Sequence, residues 1–374
     1  MRRAVFFTFI SAQLQGESNG AGTVYRWNAA TPPALDTVAQ SITSGGYSII
    51  EVAAGRAPGI NKAPFFIFLR SDNTVWAWAP TVVPINNYLY TSTPTQISFG
   101  TAITKITAGN EICAGIDTSG RLWAWGNSAA MGIGGFAAGT YTTPRLVSIT
   151  GSFVSVHVRN SSALALRHDG ALYGWGDNSY RQLGHLGNGS LPEAVLAGTV
   201  TFSHFQVGAV SIASMGISAT GSNLYLWGHN TASQCMRPSV TASVSTPVLA
   251  ANSVKDTLCL EGRGLYLDQN GDVWTWGLSG SAPTWHTGGS TSIPTNRSFT
   301  PKFERFARNA SNVIFALKLD KTVWGWGSEY AMLGDGSYNP TSPIQLAGSV
   351  TFNNVIYPQP YPSGASTSFV FGIT

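Results

Sequence analysis

Charge is what this sequence has least of. Asp, Glu, Lys and Arg make up 10% of its 374 residues, against about 25% in ordinary soluble domains. Solubility therefore rests on Ser, Thr, Asn and Gly, a surface chemistry associated with β-rich proteins exposed outside a crowded cytosol. The cations never gather into a run and the net charge is only +4, so the footprint of a nucleic-acid binder is missing. Cysteine is scarce as well. Cys113, Cys235 and Cys259 are odd in number and widely spaced, which argues against a disulfide framework and a zinc site and predicts buried thiols. No apolar run reaches the roughly 20 residues of a membrane helix, so no membrane insertion is expected. Met1-Arg2-Arg3 ahead of Ala4 to Ile10 has the outline of a short signal peptide, but the run is read as a strand, with no cleaved leader.

Catalytic patterns are equally sparse. The six histidines, His157, His168, His185, His204, His229 and His286, never fall at metal-ligand spacing. The acids are dispersed, and no phosphate-cradling loop stands in the right context. Gly16-Glu17-Ser18-Asn19-Gly20 matches a nucleophile-elbow string. That motif requires a strand, a sharp turn and a helix, whereas here it sits in a Gly-rich loop before Val24-Tyr25-Arg26-Trp27. The expectation is a protein that is not an enzyme and uses no cofactor or metal. An acid–base pair assembled from distant units is left open.

What the chain does have is a repeat. Gly170-Ala171-Leu172-Tyr173-Gly174-Trp175-Gly176 echoes Gly120-Arg121-Leu122-Trp123-Ala124-Trp125-Gly126. Aligning on the second aromatic gives Trp27, Trp78, Trp125, Trp175, Trp227, Trp276 and Trp326, at intervals of 51, 47, 50, 52, 49 and 50 residues. Each unit opens with a Phe-x-x-Val type strand (Phe153 to Val156, Phe202 to Phe205) and continues with a small-apolar strand such as Ala163 to Leu166. A tight-turn pair follows, Ser119-Gly120, Asp169-Gly170 or Asn270-Gly271, read as two-residue hairpins. Then come the Trp strand, with period-two alternation, a loop, and a Pro-containing outer strand. Four strands per unit at a period near 50 predict an all-β, seven-bladed β-propeller with four-stranded antiparallel blades, occupying 1–374 as one domain. One helix is expected at Pro32 to Ile42.

Ring closure is predicted to use both ends of the chain. Val350 to Ile356 supplies the strand type that the Trp27 unit lacks, and Val5 to Ile10 serves as that unit's small-apolar strand. Ser368 to Ile373 is then a surplus strand, expected to stay within the closing blade. Paired termini remove an open sheet edge.

The string Asp169-Gly170-x-Leu172-Tyr173-x-Trp175-Gly176-Asp177-Asn178 with Gln182-Leu183-Gly184 resembles the RCC1-type (regulator of chromosome condensation) repeat. Trp227-Gly228-His229-Asn230 with Gln234, and Trp326-Gly327 with Leu333-Gly334-Asp335-Gly336, repeat parts of it. The resemblance spans the chain and implies a seven-bladed propeller. It implies no one function: members include a chromatin-bound exchange factor, secreted β-lactamase inhibitors, and repeats of phage surface proteins. Such functions live in loops.

The aligned Trp residues are read as scaffold, and Trp76, Trp123, Trp274 and Trp324 as packing between blades. The loop aromatics Tyr88, Tyr90, Tyr141, Tyr180, Trp285, His286, Tyr330 and Tyr338 are the candidate binding residues, because aromatics among Ser, Asn and Gly make adaptable contact surfaces. The first functional reading is a non-enzymatic bacteriophage virion protein, tail- or capsid-associated, binding other virion proteins or a host receptor or glycan. It would sit on the virion or extracellular surface, with the cytoplasm as alternative. Two other readings stand beside it: a soluble protein-binding propeller acting as inhibitor or exchange factor, and a carbohydrate-binding or carbohydrate-active propeller.

Overall fold

The period-two pattern of the Trp strand fixes which residues meet the core. In Leu172–Gly176 the second residue, Tyr173, is half-buried and the others are buried; Val75–Trp78, Val273–Gly277 and Val323–Gly327 repeat that pattern. The computed structural model describes residues 46–56, 64–79, 93–110, 112–127, 140–187, 189–208, 212–238, 242–260, 262–277, 291–306, 313–327 and 342–345. It also describes the strand segments 5–10, 23–28, 83–85, 88–90, 354–356 and 370–373. Among the described residues every regular element is a strand. The helix expected at Pro32 to Ile42 and the Gly16 to Gly20 string lie outside them.

Six four-stranded antiparallel sheets follow one another along the chain. They are numbered here as blades I to VI and carry Trp78, Trp125, Trp175, Trp227, Trp276 and Trp326. Blade III is typical: Phe153–Arg159, Ser162–Arg167, Leu172–Gly176 and Gly189–Ala194, in that spatial order. Blade I adds an insertion between its third and fourth strands, the hairpin Val83–Ile85 with Tyr88–Tyr90.

The expectation of seven blades is corrected to six, while the expected pairing of both chain ends with the Trp27 strand is found. Among the described residues the Trp27 unit contributes two strands before blade I begins, Val5–Ile10 and Thr23–Asn28. Its strand Thr23–Asn28 joins a composite sheet ordered Asn354–Ile356, Val370–Ile373, Thr23–Asn28, Val5–Ile10. Here Trp27 opposes Val370 and Val24 opposes Ile373. Val5–Ile10 is therefore an edge strand, not the second strand expected of it. The tail Val370–Ile373 holds that second position, so it is no surplus. Sequence patterning could not separate the two segments, since both are short apolar runs.

The turns between second and third strands also differ from expectation. Arg167 N–H donates to Ala171 O (2.8 Å) and Gly170 N–H to Arg167 O (2.9 Å), a three-residue loop with one left-handed residue at its end. That position is Gly170 (φ +83°) in blade III, but Lys321 (φ 64°) in blade VI and Asn73 (φ 63°) in blade I.

The cores lie between blades. Ile112, Ala114, Ile116, Leu122 and Ala124 of blade II pack with Phe153, Val156, Val158 and Trp175 of blade III. Leu258, Leu265 and Leu267 of blade V meet Phe306, Ile314 and Trp326 of blade VI in the same way. Polar contacts repeat between blades too, because each first strand is a sheet edge whose N–H groups need acceptors. Side chains of one first strand accept from the next: Glu51 from Ile106 N–H (3.1 Å), Thr107 from Val158 (3.2 Å), His157 from Val207 (3.2 Å), Gln206 from Cys259 (3.2 Å), and Asp256 from Phe306 (2.6 Å).

Candidate functional site

In an antiparallel four-stranded blade, the second-to-third turn leaves one end, and the third-to-fourth loop leaves the other. The two ends of these blades differ in chemistry.

At the turn end, charges are met locally. Arg70 pairs with Asp72, Arg167 with Asp169 (2.5 Å), Lys318 with Asp320 (2.6 Å), and Arg121 with Asp117 (2.8 Å). Hydrogen bonds from Arg70 and the Thr74 hydroxyl hold Asp72 down at about 2. Those from Arg167 and from Lys318 do the same for Asp169 and Asp320, each at about 2. The half-buried aromatics of the third strand lean on the same turns. Trp123 Nε1–H donates to Asp117 (2.9 Å) and Trp274 Nε1–H to Asp268 (3.1 Å); the guanidinium of Arg70 lies 5.1 Å from the Trp76 ring. Trp123, Trp274 and Trp324 also pack against cores shared by adjacent blades.

The other end carries the loops after the Trp strands, and blades III and IV show how these are built. Gly176 (φ +95°) starts the first loop where an added Cβ would come within 2.2 Å of Ser161 O, so only glycine fits. Asn178 then clamps the loop: its amide donates to His185 O (2.8 Å) and Gly187 O (2.7 Å) while its oxygen accepts from Leu183 N–H (2.9 Å). Asn230 does likewise in blade IV, toward Arg237 O and Cys235 N–H (both 2.8 Å). The backbone carbonyl of Gln182 accepts from Trp227 Nε1–H (3.0 Å), and that of Gln234 from Trp276 Nε1–H (2.7 Å). The repeat's Asn and Gln are thus structural: each loop is fixed internally and then carries the buried Trp of the next blade.

Onto this frame the exposed groups are set. The Tyr180 ring of blade III lies 4.9 Å from the His229 ring of blade IV, joining the two loops. Burial lowers the pKa of His229, favouring the neutral ring. Leu186 is 65% exposed. Arg181 is half-buried and Arg237 exposed. Arg181 stands at φ 61°, Ser233 at φ 60° and Met236 at φ 54°, a left-handed conformation that costs roughly 1–2 kcal/mol in residues bearing a Cβ.

Of the candidate binding aromatics, Tyr180 is in this surface. Tyr141 folds back: half-buried on the outer strand Thr140–Leu146, it is covered by Arg145 at 4.4 Å and packs on the core between blades II and III. Tyr88 and Tyr90 lie on the inserted hairpin of blade I, opposite Ile85 and Val83, at the loop end by topology; their side chains are outside the described residues. Trp285, His286, Tyr330 and Tyr338 lie outside the described residues altogether. Arg181, Leu186 and Arg237 were not anticipated. Their signal was positional, since all three sit among the variable residues around the loop's fixed Asn and Gln.

Among the described residues a catalytic pairing is suggested only by His185 and Glu193, 3.4 Å apart. His185 is buried, and its Nε2 is held at 3.1 Å by Gly174 O, which makes it a strut of the loop. Among the described residues no group of three His, Cys, Asp or Glu is placed to hold a metal ion. The three thiols are buried, and burial pushes that of Cys259 up to about 12. Among the described residues no helix is long and apolar enough to cross a membrane.

No family model matches the sequence. The human E3 ubiquitin-protein ligase HERC2 is 26% identical over 263 residues, which is 63% of this chain but 5% of that protein. The probable E3 ubiquitin-protein ligase HERC6, also human, is 26% identical over 184 residues, 46% of this chain and 18% of that one. The chain thus corresponds to a small part of these relatives. Among solved structures, that of Prp20p from Saccharomyces cerevisiae, described with its binding to Gsp1p and histones, superposes with a TM-score of 0.71. It is 16% identical and covers 100% of this chain and 91% of its own. Human WBSCR16 superposes with a TM-score of 0.69 at 17% identity, covering 86% of both chains. Prp20 is the yeast RCC1, solved also with Kap60 bound.

Proposed function

The chain is an RCC1-like propeller, and from that fold we propose that it is a protein-binding module whose loop end engages a partner, as an inhibitor or exchange factor would. The supporting observation is the contrast between the ends. The turn end pairs Arg70, Arg121, Arg167 and Lys318 with carboxylates and half-buries its aromatics. The loop end is also held from within, yet it leaves Leu186 and Arg237 exposed and Tyr180 and Arg181 half-buried. Preorganised loops bearing aromatic, aliphatic and guanidinium groups are what a protein interface needs. Solved relatives of the fold bind proteins, as Prp20p does Gsp1p and histones. The ligase activity named for HERC2 is not carried over, because the match covers 5% of that protein. The virion reading, which rested on the uncharged surface composition and on degenerate repeats with variable loops, finds no support among these relatives. This reading takes 1–374 as one domain, in which the composite sheet pairs the two ends of the chain and the six blades carry the loop end.

Photo-crosslinking amino acids at Ser179 and Thr231 of the loop end, and at Thr118 and Asn270 of the turn end, test the proposal in the native host. Discrete protein adducts from the loop end alone are expected. Adducts from the turn end alone, or from neither end, overturn it.

A further inference from the structure

We infer that the surface shared by blades III and IV takes an acidic protein segment anchored by an apolar side chain. This rests on the protein-binding reading above and names the chemistry of the partner.

At the turn end Arg70, Arg121, Arg167 and Lys318 each have a carboxylate partner. Arg181 donates through Nη1 to Leu186 O (3.0 Å), and no carboxylate among the described residues lies in salt-bridge range of it or of Arg237. Two arginines without counter-charge thus stand on the adjacent loops of blades III and IV. The Arg181 guanidinium keeps further N–H donors in a planar fork, the geometry that receives a carboxylate.

Two independent observations point to a ligand here. The first is strain. Arg181 occupies the left-handed conformation at φ 61°, where glycine would sit at no steric cost, and Met236 (φ 54°) stands where the blade III loop has Gly184 (φ +71°). Strain of this kind in residues bearing a Cβ gathers at ligand-binding surfaces, and Ser233 (φ 60°) repeats it at the matching position of blade IV. The second is an exposed apolar group beside Arg181: Leu186, whose carbonyl takes the Arg181 hydrogen bond, is 65% exposed, on a loop whose Asn178 clamp leaves it little freedom to fold inward. A phosphate backbone is the competing anion. Two cations beside an aliphatic side chain fit it poorly, since nucleic-acid affinity is built from many phosphate contacts.

The test uses the full chain and three fluorescent probes at low salt: a decapeptide alternating glutamate with leucine, its lysine–leucine counterpart, and oligothymidylate. Saturable binding of the acidic peptide is expected, weakened at least tenfold in Arg181→Glu/Arg237→Glu. The variant Lys105→Glu/Arg305→Glu should bind as wild type, because those cations lie on first strands away from this surface. Leu186→Ser alone should cost several-fold. Equal melting temperatures of the variants keep a loss of fold from passing as a loss of binding. No binding of the acidic peptide, equal loss in the Lys105/Arg305 variant, or tighter binding of oligothymidylate overturns the inference. Loop-end adducts together with such a result would sink this partner chemistry and leave the protein-binding reading standing.

Discussion

Trp274 and Trp276 are two residues apart on one strand, and they serve opposite ends of the blade. Trp276 is wholly buried, and its indole N–H reaches across to Gln234 O in the loop of the preceding blade. Trp274 is half-buried and turns its N–H to Asp268 in the hairpin of its own blade. The loop end is therefore built between blades and the turn end within them. Damage to one should spread around the ring, while damage to the other should stay local.

The largest expected effect tests that division directly. Trp276→Ala should cost about 3–5 kcal/mol, the range for large aromatics removed from a packed core, and it also strips Gln234 O of its donor. Trp274→Ala removes a side chain that keeps part of its surface in water, and should cost about 1–2 kcal/mol, scaled from the area it buries. Urea unfolding of both variants measures the difference. Equal losses would mean that the two ends are not mechanically distinct.

Acid should find the turn end first. Asp72, Asp169 and Asp320 titrate at about 2 in the folded chain, below the ordinary aspartate value near 3.9. A depressed folded pKa contributes stability that is complete above the unfolded value and is lost as pH falls through the folded one. The urea midpoint should therefore hold from pH 7 to about 5 and decline between about 4 and 2. A triple Asp→Asn variant should start lower at pH 7 and decline less. Parallel curves would remove the paired turns as the acid-sensitive element.

The turn end was legible in the sequence, and the loop end only in outline. Asp169-Gly170 announces its turn because positive φ restricts the residue type, and each aligned Trp announces burial because nothing else recurs so regularly. Even so, the loop length was misjudged by one residue, since the same pair suits two hairpin geometries. Between blades the signal vanishes. Glu51, Thr107, His157, Gln206 and Asp256 do the same job, but share only an acceptor atom, and no residue pattern records that. In the closing sheet the membership was legible, since both ends of the chain join the Trp27 strand as expected, but the order was not: Val5–Ile10 and Val370–Ile373 are interchangeable as apolar runs, and the second place is decided by pairing of Val370–Ile373 with Thr23–Asn28 from the far end of the chain. At the loop end, Tyr180 could be chosen as an aromatic beside a fixed Asn, whereas Arg181 and Arg237 matter for the carboxylates that are not near them.

The smallest effect separates the ends most finely, because it makes the same substitution at the same kind of backbone. Lys321 (turn end, φ 64°) and Arg181 (loop end, φ 61°) both carry a Cβ in the left-handed region. Glycine relieves roughly 1–2 kcal/mol of that strain, while its extra freedom in the unfolded chain returns about 0.5–1 kcal/mol. Lys321→Gly should then stabilise by about 0.5 kcal/mol and leave peptide binding unchanged, since the Lys321 position only turns a hairpin. Arg181→Gly also gives up its hydrogen bond to Leu186 O, worth about 1 kcal/mol, so its stability should stay within about 0.5 kcal/mol of wild type. Its affinity for the acidic peptide should nevertheless fall at least fivefold. If both variants bind equally, left-handed strain in this chain is an accident of its turns and says nothing about where a partner docks.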